Sequence, residues 1–61
     1  AHVGQVLGVN GNQFTIRDAQ TGKPVSFRAA KNMQGSMPAA GDSVTVKYSE
    51  HEKILIAESI Q

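Results

Sequence analysis

At 61 residues the chain is one domain, and folding at this length removes only roughly 60% of the surface the unfolded chain exposes, so every large apolar residue counts. With no cysteine and no Cys/His cluster of zinc spacing, stability has to come from sheet packing, and residues 1–61 are expected to form a single small β-barrel domain. The six basic and five acidic residues are interspersed and leave a net charge of +1, which demands no polyanion partner, and the longest apolar run, Ile54 to Ala57, is far too short to cross a bilayer.

The first strand is predicted over His2 to Val9, with Val3, Gln5, Leu7 and Val9 on one parity and Gly4, Val6 and Gly8 on the other. Two glycines weaken a flat strand but suit one that coils sharply around a barrel. Asn10-Gly11 then marks a tight hairpin, expected as a type I′ turn. Phe14 and Ile16, followed by Val25 and Phe27, alternate with polar residues on either side of Ala19-Gln20-Thr21-Gly22-Lys23. This is the period-two pattern of a second hairpin, with Gly22 supplying a positive φ and Pro24 at a strand start.

Ala30 to Gly41 shows no alternation and contains Gly35 and Pro38, so it is expected to be a connector with room for one helical turn around Lys31 to Gln34. Val44, Val46 and Tyr48 form the cleanest strand, and Ser49 to Lys53 a polar turn. Ile54 to Ile60 is the last strand, with Ile54, Ile56 and Ile60 placed inward; inward Leu55 and Ala57 is the other parity open to it. The predicted core is Phe14, Ile16, Val25, Phe27, Val44, Val46, Ile54 and Ile56. The fold class is all-β, a five-stranded antiparallel Greek-key barrel of OB-fold type, with an SH3-like barrel as the alternative.

Candidate sites are sparse. Arg17, Arg28 and Lys47 are outward by parity, but Phe14, Phe27 and Tyr48 point inward, so no aromatic platform is left for stacking bases, and nucleic acid is not expected as a partner. Weak single-strand binding would follow only from fold analogy. His2, His51, Met33 and Met37 offer soft donors of the kind that take Cu(I) or Ag(I). They lie on separate segments with no ligand spacing, and the two methionines fit better as flexible plugs for a barrel end. Asp18, Asp42, Glu50, Glu52 and Glu58 are isolated carboxylates, Asp42 reads as a turn former, and no serine sits in a nucleophile elbow. No catalytic residue, cofactor or metal site is assigned, and the chain is read as a non-enzyme.

Gly4-Gln5-Val6-Leu7-Gly8-Val9, Phe14-Thr15-Ile16, Gly41-Asp42-Ser43-Val44-Thr45-Val46 and Ile60 together resemble the small periplasmic OB-fold proteins typified by the copper/silver chaperone of the Cus efflux system. The resemblance implies an exported or envelope-associated bacterial OB domain, an efflux-associated accessory module that contacts another protein, with a soft-metal carrier as the alternative. In that chaperone type a histidine follows the apolar pair of the second strand, and a tryptophan and two methionines open the third. This chain has Arg17 and Asp18, then Lys23, Pro24 and Val25, at the matching places, and no tryptophan.

Overall fold

The computed structural model describes all residues from Ala1 to Gln61. Five strands, β1 (His2–Asn10), β2 (Gln13–Asp18), β3 (Pro24–Gln34), β4 (Ser43–His51) and β5 (Ile54–Ile60), close into a barrel in the order β1-β2-β3-β5-β4. Neighbours pair antiparallel except β3 and β5, which run parallel. One parallel seam together with the β1–β4 closure makes this the OB-type Greek-key barrel rather than the SH3-like alternative. No helix of the chain is long and apolar enough to cross a membrane.

The turns show where local chemistry decided the path. Gly22 takes the positive φ (72°) expected of it, and Gly22 N–H and Asp18 N–H close the β2–β3 loop by donating to Asp18 O and Lys23 O. The first hairpin differs in detail from expectation. Asn10 pairs with Gln13 inside the ladder, so Gly11 and Asn12 are the central residues and Gly11 alone takes a positive φ. The both-positive backbone of a type I′ turn occurs instead at Glu52 and Lys53, where neither residue is suited to it. The stretch expected to be a connector begins late: β3 continues to Gln34 with no helical turn at Lys31 to Gln34, because Gln34 returns to pair with Ser59 across an irregular stretch of the parallel seam.

Val6, Phe14, Ile16, Phe27, Val44, Val46, Ala57 and Ile60 form one buried cluster, with Phe14 and Phe27 stacked at 5.4 Å between ring centres. Val25, Met33, Tyr48 and Leu55 pack against it half-buried. The inward placement of Ile54 and Ile56 is overturned: Ile54 is 42% exposed and Ile56 lies outside the cluster, while Leu55 and Ala57 face in. The register sets this: Ile56 pairs with the exposed Arg28 and Ser49, whereas Ala57, at zero exposure, pairs with Tyr48, which packs on the core. Ile60 still turns inward because Glu58 is an extra residue between the Tyr48–Ala57 and Lys47–Ser59 pairs, and this bulge shifts the parity.

A second bulge, at Leu7, separates the Val6–Ile16 and Gly8–Thr15 pairs of β1 and β2. Gly4 is buried where β1 crosses closest to β2: a side chain there would run into the Arg17 carbonyl oxygen.

Two measurements check this core. Phe27→Ala should destabilise by about 3–5 kcal/mol, enough to unfold much of a domain this small, and a thermal melt would show it. The parity of β5 is tested by a pair of variants in urea denaturation: Ala57→Leu should cost about 1–3 kcal/mol through overpacking, while Ile54→Ser should stay within about 0.5 kcal/mol of the parent.

Candidate functional site

β1 and β3 run in the same direction, so their first residues share one end of the barrel, and the chain's only ion pair lies there. His2 has the parity of Gly4 and Val6, which turns its ring inward at the mouth. Its Nδ1 lies 2.6 Å from Asp18 Oδ2, within hydrogen-bonding and ion-pairing distance. The imidazole stacks on Tyr48 (4.9 Å between centres, 20° between planes) and meets Phe27 edge-on at 5.8 Å. Phe27 in turn meets Tyr48 edge-on and stacks on Phe14, so four rings run from the mouth into the core.

Asp18 ends β2 and is 4% exposed. Burying a carboxylate is costly unless it is paired and hydrogen-bonded. Here Oδ1 accepts the Gln20 N–H at 2.8 Å, an Asx-type turn, and Oδ2 faces His2. The Gln20 N–H is the main influence holding the Asp18 carboxyl below the usual carboxylate range; the His2 hydrogen bond and charge add to it, and burial opposes them. In the sequence Asp18 is an isolated carboxylate and His2 one of four scattered soft donors, and the alternation does not pair them. Counted from the first hairpin without the Leu7 bulge, Asp18 falls opposite Gln5; with the bulge it falls opposite Gly4, diagonal to His2.

The other soft donors are not gathered around His2. Met33 lies near the far end of β3, packed against the core beside the end of β5, and Met37 is 37% exposed in the connector, so only Met33 fills the barrel end as expected. His51 is exposed at the tip of the β4–β5 hairpin, opposite Ile54. No group of three or more His, Asp or Glu side chains is placed to hold a metal ion. Arg17, Arg28 and Lys47 are all exposed, on β2, β3 and β4 respectively, as parity predicted.

Comparison with known proteins gives a fold. The chain matches the crystal structure of Ag(I)-bound CusF with a TM-score of 0.82 at 18% sequence identity, covering 98% of this chain and 91% of that one. It matches CusF–Ag(I) from Escherichia coli with the same TM-score and identity over 85% of that chain, and apo-CusF from E. coli at 0.81 over 81%. No protein-family model and no curated protein matches the chain in sequence. The all-β barrel and the resemblance drawn from the glycine and turn pattern are thereby established at the level of fold.

The Asp18 geometry sets a pH dependence. A carboxyl whose folded value is depressed contributes stability above its unfolded value, and that contribution is lost as pH falls through the folded value. Unfolding free energy should therefore drop on acidification below roughly pH 4, and Asp18→Asn should flatten that acid limb in urea titrations. An unchanged limb would mean the carboxylate is not held as described.

Proposed function

We propose that this domain is a non-catalytic binding module, an accessory domain of the bacterial envelope that contacts another protein. The observation that carries this reading is the outer surface. Val3, Leu7, Val9 and Ile54 are each 40% or more exposed on a chain that can spare few large apolar residues from its core. The barrel mouth supports it as well, since the one half-buried histidine there is already engaged by Asp18 and Tyr48. The envelope location rests on the resemblance to the periplasmic OB domains, and the absence of catalysis on the carboxylates being scattered among strand ends and turns.

A soft-metal carrier is the second reading, favoured by one observation: a 98% overlap with a CusF structure solved with Ag(I). Against it stands the donor set, because Cu(I) or Ag(I) needs two or more thioether or imidazole donors at one point, and Met33 and His2 lie toward opposite ends of the barrel. Titration with Ag(I), following methionine methyl and histidine ring NMR signals, separates the two. The binding-module reading expects no saturable one-to-one change at low micromolar metal. Coordinated shifts of Met33, Met37 and a histidine that saturate at one equivalent would replace it with the carrier.

A further inference from the structure

The outward face of β5 is the product of the parity that packing imposed, and it borders a depression of about 330 Å³ between β3 and the β4–β5 turn. Ile54 gives it an exposed apolar edge, the half-buried Leu55 and the buried Phe27 line it from the core side, and Gln13, Ser26, Arg28 and Lys53 complete it. No acidic residue lines it. Neither cation has a salt-bridge partner, the only ion pair of the chain being His2 with Asp18.

Lys53 is held there by an unfavourable backbone. Glu52 and Lys53 both sit at positive φ (51° and 67°), where Asn-Gly would be at ease and ordinary side chains are strained. A second depression, of about 350 Å³, adjoins the first through the shared Gln13 and Ser26, and runs over Thr15 to Gly8 and Val9 of β1. The Thr15 and Ser26 hydroxyls, 2.9 Å apart, lie along the line that joins them. Together they make a groove across β5, β3, β2 and β1, cationic and apolar at one end, uncharged at the other.

We infer that this groove binds an extended acidic segment of a partner protein, with a carboxylate between Arg28 and Lys53 and a neighbouring aliphatic side chain against Ile54. Charge complementarity chooses the occupant. Two cations unpaired within the protein, beside an apolar wall and with no carboxylate of its own, match a Glu or Asp next to a Leu, Ile or Val. Length argues the same way, because a small organic acid would fill one depression and leave the other empty. The uncharged end passes over Gly8, whose missing side chain keeps the groove open there: a Cβ at Gly8 would meet nothing within 4 Å. This inference rests on the binding-module reading and names the partner's chemistry.

The test is fluorescence anisotropy of the intact domain with a labelled Glu-Leu-Glu-Leu-Glu peptide, its Lys-Leu-Lys-Leu-Lys counterpart and an oligothymidylate of similar length. Saturable binding of the acidic peptide is expected, weakening with added salt, with none for the basic one. Arg28→Glu combined with Lys53→Glu should weaken it by about tenfold or more. Gly8→Val, which fills the uncharged end without touching the core, should weaken it several-fold while the melting temperature stays put. Equal affinity for both peptides, or unchanged affinity in both variants, overturns the proposal. Oligothymidylate binding more tightly than the peptide and lost in the Arg28/Lys53 variant overturns it in favour of a nucleic-acid groove. These outcomes are independent of the Ag(I) titration, so the groove can fail while the binding-module reading stands, and a one-to-one silver complex would remove the broader reading whatever the peptide does.

Discussion

The parallel pairing of β3 with β5 is the contact on which the rest of this barrel depends. The hairpins β1–β2, β2–β3 and β4–β5 need only local turns, but without the seam they form an open sheet in the order β3-β2-β1-β4-β5, whose two halves meet only through the β1–β4 pairing. A hairpin in isolation is marginal in water. Closing the seam pairs Ala57 with Ala29, two small residues, and leaves the stacked phenylalanines each only 2% exposed. It also requires β3 to run for eleven residues and to bend, which is why the stretch past Arg28 carries Ala29 and Ala30 instead of continuing the large-apolar alternation.

That constraint reaches the surface. Because the interior at the seam accepts alanine, the bulky members of the Ile54-Leu55-Ile56 run are divided, with Leu55 inside and the isoleucines displaced outward. An exposed isoleucine beside Arg28 and Lys53 is thus a by-product of core geometry that becomes a surface with chemical character. Selection could use such a surface without altering the core, since surface substitutions cost little stability.

The mouth of the barrel follows a different logic. A carboxylate at 4% exposure is tolerated because a turn N–H and an imidazole satisfy it, and the imidazole is in turn oriented between Asp18 and the Tyr48 ring. Removing either partner would leave the other half-desolvated, so the pair locks the start of β1 to the end of β2 and to β4 more through the penalty of breaking it than through its net strength. Overlap with the CusF barrel at 18% identity establishes the fold, and function has to be read from the side chains this chain places on it.

Much of the fold was legible in the residues themselves. Period-two alternation around Phe14, Ile16, Phe27, Val44 and Val46 determines which faces are buried, and positive-φ glycines at Gly11 and Gly22 mark two of the turns, because both signals are local. The outward basic residues Arg17, Arg28 and Lys47 follow from the same alternation. Tertiary structure alone decided the rest. The parity of β5 rests on its register against β3 and β4, and a run with apolar residues on both faces carries no record of that. The pairing of His2 with Asp18 depends on a bulge at Leu7 that shifts register by one residue, and a bulge is chosen by the curvature of the closed barrel. The groove over Gly8, Ser26 and Lys53 takes three of its strands from consecutive hairpins, but its cationic end needs β5 and the turn before it, and only closure sets those beside β3.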